Sequence, residues 1–317
     1  MLAVTLLSTV SAALPATLRP EALEVNRAPA AGVPPIVDGV ALHFAWRVGC
    51  SCEDGGDHCC RVARAEAYRV QVHAVDDGGA LYLDTGRVAS TTTWHVATGA
   101  RLPSDARFEW AVTVWPAAAA DGAEGATERG GFQTALAQPA DWNGAEWIGG
   151  FTQARASFAL RAGATVVGAT AYASGLGCFA LTLNGQQVAD SMMDPGWSTL
   201  PPMRLLYRAY NVSHLLVPGE NSAGVRLGFC HYGGIDQPFC IDGHAMRDTC
   251  RGFVMRLSVR YADGETQDVL TTARGGGGGV QWNGTTKGNP MVYTHLYHGE
   301  VVTPASCRLA GTSQSSQ

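Results

Sequence analysis

Strand-period alternation recurs along most of this chain of 317 residues, and no segment carries a long helical stripe. In AYRVQVHAV (Ala67–Val75), Tyr68, Val70 and Val72 share one face, while Arg69, Gln71 and His73 take the other. FEWAVTVW (Phe108–Trp115) repeats the pattern, with Phe108, Trp110, Val112 and Val114 pointing one way. LYLDTGRVAS reads as a strand leading into a turn at Asp84–Gly86. A half-apolar strand must bury that half against a second layer, so an all-β sandwich is expected. The 39 glycines suit a chain with many tight turns. With 46% hydrophobic and 15% charged residues, the chain is composed for ordinary cores rather than disorder.

The alternation divides into two blocks. Residues 1–20 form a signal-like or disordered arm, with an apolar run Leu2–Leu7, small residues at Ser11, Ala12 and Ala13, and no basic start. Residues 21–136 read as a small fibronectin-III-like sandwich. Within them, Ala117–Gly131 is expected to be a flexible loop, because it has no apolar stripe to bury. A linker follows at 137–144, where Pro139 interrupts regular pairing. A second β-sandwich spans 145–304, and 305–317 is a disordered tail. Asn184-Gly185 and Asp263-Gly264 are two-residue hairpin signals, and Pro195-Gly196 fits the centre of a type II turn. NVSHLLVPG has room for one short helical turn.

Net charge is −5 with no basic run, which excludes the electrostatic footprint of nucleic-acid or anionic-membrane binding. No stretch is long and apolar enough to span a bilayer. Of the nine cysteines, Cys178 lies in the apolar run LGCFALTL and is read as a small core residue. The other eight, Cys50, Cys52, Cys59, Cys60, Cys230, Cys240, Cys250 and Cys307, are disulfide candidates, with on the order of a hundred connectivities. Cysteines in loops at this density point to a secreted or extracellular protein. The sequons at Asn211 and Asn283 are compatible glycosylation candidates. The cluster CSCEDGGDHCC, with His58, is an alternative zinc site, although its spacings differ from the usual metal pairs.

Several ordered motifs carry a family likeness. The chain has Trp142 with Trp147-Ile148-Gly149, then Ser174-Gly175-Leu176-Gly177 running to Leu183-Asn184-Gly185. It continues with Asp194-Pro195-Gly196-Trp197, Leu206-Tyr207, Tyr210-Asn211-Val212, and Gly219-Glu220-Asn221 through Leu227-Gly228. Tyr297-His298-Gly299-Glu300 lies near the end. This series resembles the N-terminal, non-catalytic region of bacterial-type α-L-rhamnosidases. The resemblance implies a fibronectin-III-like sandwich followed by a jelly-roll, galactose-binding-like β-sandwich. It also implies an accessory carbohydrate-binding region, with a rhamnose-containing glycan as partner and calcium as a conceivable ion. A cysteine-bearing insertion, CHYGGIDQPFCIDGHAMRDTC, departs from the family pattern after Leu227-Gly228.

A sugar presents an apolar face and a rim of hydroxyls. Trp197 and Tyr232 for the face, with Asn184, Asp194 and Asn221 for the rim, are therefore the candidate binding residues. Asp190, Asp194, Asp236 and Asp242 supply oxygens of the type calcium needs. Each motif also has a purely architectural reading as turn or packing. Glycoside hydrolysis requires two positioned carboxylates. In rhamnosidases these come from a downstream helical barrel whose acidic motifs this sequence lacks, so no catalytic residue is assigned. Two other roles remain open: the front portion of a complete α-L-rhamnosidase, and a secreted structural or adhesion protein.

Overall fold

The computed structural model describes residues 17–30, 33–39, 41–51, 64–99, 101–116, 124–196, 205–228, 230, 252–272, 279–285, 291–295 and 299–302. Two compact units divide at Ala137/Gln138. Among the described residues, helix is confined to two 3-10 turns, Pro139–Trp142 and Ser213–Leu215.

The first unit contains β1 (Thr17–Val25), β2 (Ala28–Pro29), β3 (Ile36–Val37), β4 (Ala41–Ser51), β5 (Ala65–Ala74), β6 (Leu81–Asp84), β7 (Val88–Ala89), β8 (Trp94–Thr98), β9 (Arg107–Pro116) and β10 (Ala126–Thr134). One sheet has the order β2-β1-β4-β8 and the other β3-β10-β9-β5-β6, with β7 beside β5. The alternation read from the sequence is the burial pattern found. Val70, Val72, Trp110, Val112 and Val114 are fully buried, and Phe44 lies 4.8 Å from Trp110 between ring centroids. Residues 126–131, expected to be loop, instead form most of β10 and pair with β9 from Ala126↔Val114 to Gly131↔Glu109. Over 126–131 the strand is held by that ladder rather than by side-chain burial, which begins at Phe132, so the apolar pattern there is weak.

The second unit contains β11 (Ile148–Gly149), β12 (Gln153–Ala159), β13 (Val166–Leu176), β14 (Cys178–Leu183), β15 (Gln186–Gln187), β16 (Arg208–Asn211), β17 (Glu220–Gly228), β18 (Gly252–Tyr261), β19 (Thr266–Thr272), β20 (Gly279–Gln281), β21 (Asn283–Thr285), β22 (Met291–His295) and β23 (Gly299–Val302). Its two main sheets run β16-β13-β18-β19-β20, with β11 beside β18, and β15-β14-β17-β12-β21. Between them, Ala169, Ala171 and Ala173 of β13 sit opposite Val259, Leu257 and Met255 of β18. Small residues beside large ones leave space for Phe158, Leu181, Leu183, Val225 and Leu227 from the facing sheet. Phe179 and Phe253 meet edge-on at 5.4 Å.

The two sheets differ on their outer faces. On the β13–β18 sheet that face is also buried: Tyr172 is fully enclosed, Tyr207 packs on it at 6.3 Å, and Trp142 packs on Tyr207 at 5.6 Å. Ser174 donates to the Leu206 carbonyl at 2.7 Å, and Arg256 reaches Asp268 at 3.0 Å and the Asp141 carbonyl at 2.7 Å. The β14–β17–β12 sheet keeps an open outer face bearing Ala180, Arg226 and Arg155, all exposed.

Turn chemistry follows the sequence at Asn184-Gly185, where both residues have positive φ (49° and 78°), as a type I′ hairpin requires. Two other turns differ from expectation. The Asp194–Pro195 bond is cis, and the Gly196 N–H donates to the Met193 carbonyl at 2.8 Å. Pro195 thus holds the third position of a type VI turn, one place later than a type II turn would put it. The loop after β18 spans four residues rather than two. Asp263 stays out of the left-handed region and uses its carboxylate on the Glu265 N–H and on Arg161, leaving Gly264 at φ +88°.

Cys178 is not a free core thiol: it is disulfide-bonded to Cys230, with Cα atoms 5.6 Å apart. The first residue of β14 lies opposite Gly228 at the end of β17, which brings Cys230 within bonding reach. Cys178 is buried, as its apolar surroundings imply, but as half of a disulfide. Cys50 is also disulfide-bonded. Cys52, Cys59, Cys60, Cys240, Cys250 and Cys307 lie outside the described residues. The Cys178–Cys230 bond closes a separation of 52 residues. Replacing both cysteines with serine is expected to lower unfolding stability by about 2–4 kcal/mol. Chemical denaturation of the paired variant against the oxidised parent measures this.

Candidate functional site

The residues singled out from the sequence separate into two places at opposite ends of β14. Asn184 closes the hairpin after β14, and Asn221 lies alongside on β17. Asn184 Nδ2 donates to Asn221 Oδ1 at 2.7 Å and to the Leu215 carbonyl at 2.8 Å, while its Oδ1 accepts from the Ser222 N–H at 2.8 Å. Asn221 is buried and accepts also from the Val217 N–H at 3.0 Å. Its Nδ2 donates to the carbonyls of Val217 at 2.7 Å and Gly219 at 2.9 Å. An amide side chain has two donor hydrogens and two acceptor lone pairs, so Asn221 is fully used. This pair locks the β14 hairpin to the bend before β17. Asn221→Ala would leave several backbone groups unpaired. The expected result is a loss of about 2–4 kcal/mol in urea unfolding, with the fold retained at low temperature.

Asp194 sits at the other end, beside Phe179, whose N–H donates to the Asp194 carbonyl at 2.8 Å. Five residues of strand separate it from Asn184, roughly 16 Å. Its carboxylate is buried. It accepts from Arg208 Nε at 2.7 Å, from the Tyr210 hydroxyl at 2.6 Å, and from Ser191 Oγ. Burial pushes its pKa up, but the hydrogen bonds from Ser191, Tyr210 and Arg208 outweigh it and hold the group below the usual carboxylate range. Burial and the neighbouring carboxylate push the Tyr210 phenol well above its ordinary value. Asp194 is therefore an anion already matched to its own cation. Asp190 is exposed, and among the described residues no three His, Cys, Asp or Glu side chains gather as a metal site. Trp197, Tyr232, Asp236 and Asp242 lie outside the described residues, as do Tyr297 and His298.

The linkage has a definite sign. A depressed Asp194 pKa contributes stability that is complete above the unfolded value, about 3.9, and is lost as pH falls through the folded one. A raised Tyr210 pKa contributes stability that is complete below about 10 and is lost at higher pH. Thermal unfolding is expected to be nearly flat in this respect between about pH 5 and 9 and to weaken below about pH 4. In Asp194→Asn the acid limb should flatten.

Sequence reasoning passed over a third place, on the open outer face of the β14–β17–β12 sheet. A groove of about 560 Å³ crosses it. The strand register sets its lining in two rows. Ala180, Arg226, Gln153 and Thr285 lie side by side, and next to them Thr182, Gly224, Arg155 and Asn283. Gly224 keeps the floor low, since a Cβ there would stand 2.7 Å from Thr182 Oγ1. Arginine, glutamine, asparagine and threonine at the walls offer donors and acceptors suited to hydroxyl-rich ligands. The available signal was the outward half of each alternation, Arg155 in QARASFA and Arg226 in NSAGVRLG, which reads alone as ordinary solvated surface. Asn283, a glycosylation candidate, lines this groove, whereas Asn211 accepts from Ser213 N–H and Oγ at 3.2 and 2.9 Å elsewhere.

Comparison with known proteins places both units. Residues 34–138 match the model of the Rha78A-like, N-terminal immunoglobulin domain, and residues 164–304 match that of the alpha-L-rhamnosidase N-terminal domain. An alpha-L-rhamnosidase of Formosa agariphila is 24% identical over 242 residues, covering 67% of this chain and 24% of the relative. Among solved structures, alpha-L-rhamnosidase from Dictyoglumus thermophilum aligns with a TM-score of 0.69 at 22% identity, over 91% of this chain and 32% of that one. Streptomyces avermitilis alpha-L-rhamnosidase, complexed with L-rhamnose, aligns with a TM-score of 0.64 at 15% identity, over 90% and 42%.

Fold and matched segments together define a two-part β-sandwich region of the rhamnosidase type. More particularly, the chain carries the N-terminal region of α-L-rhamnosidases, an immunoglobulin-like domain followed by the alpha-L-rhamnosidase N-terminal domain. It spans about a quarter of the length of the Formosa agariphila relative.

Proposed function

We propose that this chain is an accessory carbohydrate-binding region of rhamnosidase type, secreted, with a rhamnose-containing glycan as its partner. The observation that carries this reading is the open groove with polar side chains at its walls on the second unit, most of whose lining lies in the segment matched to the rhamnosidase N-terminal domain. Its volume falls in the range of small-ligand clefts, roughly 300–1,000 Å³. Its small floor and amide, hydroxyl and guanidinium walls match a ring with a rim of hydroxyls. The groove suits a sugar contact better than Asn184 and Asn221, whose polar atoms bond inside the fold. One related structure holding L-rhamnose supports the choice of sugar.

A second reading rests on length: the matched relative is about four times as long as the stretch it shares with this chain. In that reading the two units form the front of a complete α-L-rhamnosidase, with catalysis supplied by a further segment. Reading the transcript beyond residue 317 distinguishes the two, since an open frame encoding a helical barrel would favour the complete enzyme.

Calorimetric titration with methyl α-L-rhamnoside and rhamnose-containing oligosaccharides tests the binding reading. Saturable binding that Ala180→Phe weakens at least tenfold, with unfolding temperature unchanged because Ala180 is exposed, is the expected outcome. Absence of binding to every sugar tried would remove the proposal.

A further inference from the structure

Among the described residues, the groove carries positive charge with no acidic counterpart. In the second unit Arg161, Arg208 and Arg256 each bond to an aspartate, at 2.8, 2.7 and 3.0 Å. Arg155 and Arg226 have no acidic partner among the described residues, and no Asp or Glu lines the groove. The register makes their proximity definite: Arg155 lies opposite Gly224 and Arg226 opposite Gln153, so the two arginines are diagonal neighbours on one face. Such positions are about 7–8 Å apart between Cα atoms, and like charges at that distance repel. Gly224 beside Arg155 and Ala180 beside Arg226 leave nothing tall on the strand to one side. A guanidinium binds a planar carboxylate through paired N–H groups, which makes arginine the residue suited to this recognition.

We infer that the groove selects an acidic oligosaccharide, with a uronic-acid carboxylate held between Arg155 and Arg226 and a neighbouring neutral sugar along the Thr182–Asn283 row. The inference rests on the carbohydrate-binding reading and adds the substrate class. The carboxylate relieves the repulsion between the two cations, and a neutral glycan does not. Selectivity is therefore electrostatic and falls with salt.

The test is calorimetric titration of the whole, unglycosylated chain with a rhamnosyl-uronic acid disaccharide and with the same disaccharide after its carboxyl is reduced to the alcohol. The acidic probe is expected to bind at least tenfold more tightly at low salt. That advantage should shrink several-fold in 0.5 M NaCl and vanish in Arg155→Gln/Arg226→Gln. Both side chains are exposed, so the variant should keep the parent's unfolding temperature. Equal binding of the two probes overturns the acidic preference and leaves the carbohydrate-binding reading intact. An acidic preference that survives in the double variant overturns this placement. Tighter binding of a sulfated rhamnoside than of the uronate overturns the carboxylate assignment. Binding of neither disaccharide, nor of any neutral rhamnoside, overturns the underlying reading and the inference with it.

Discussion

The second unit depends on the antiparallel ladder between β13 and β18, paired from Val166↔Tyr261 to Leu176↔Gly252. Both strands are buried on both faces over most of their length, so the backbone groups they turn toward each other have no water to pair with instead. β16, β11 and β19 attach to the flanks of this pair. One of its faces supplies the alanine row against which the second sheet packs. The other is sealed by Tyr172, Tyr207 and Trp142. With that face occupied, the facing sheet is left as the open surface of this unit, and the groove lies there.

Polar residues in this unit divide between holding the fold and facing solvent. Asn184, Asn221 and Asp194 each satisfy the inside of a bend, where an unpaired buried group would cost more than the side chain's own ordering. Their residue types are those a sugar site would use, yet their atoms are turned inward. Arg155 and Arg226 show the reverse. Arg155 lies outside the motif series and Arg226 within its Gly219–Gly228 member, and their placement on one face follows from the alternation of β12 and β17. Once those strands pair, two cations with no acidic partner among the described residues stand as diagonal neighbours, Arg155 directly across from a glycine.

Much of the architecture was legible in the chain. Alternation located Tyr68, Val70, Val72, Phe108, Trp110, Val112 and Val114 in the first core, and Asn184-Gly185 specified its hairpin through two left-handed residues. The misreadings came where a neighbour elsewhere in the fold decided the outcome. β10 looked too polar and glycine-rich for a strand until β9 supplied its hydrogen bonds. Cys178 looked like a core thiol because its partner is 52 residues away. Asp263 left the expected two-residue turn because Arg161 and the Glu265 N–H drew its carboxylate elsewhere.

The amino-acid sequence alone determined the class of fold and the kinship, because strand period, turn residues and ordered motifs are local properties of the chain. Tertiary structure alone decided which polar residues remain available to a ligand. Availability depends on what lies across the sheet from a side chain, and strand register sets that between residues as distant as Arg155 and Gly224. The same register turned two unremarkable arginines into neighbours, and it closed Asn221 and Asp194 around the bends they hold.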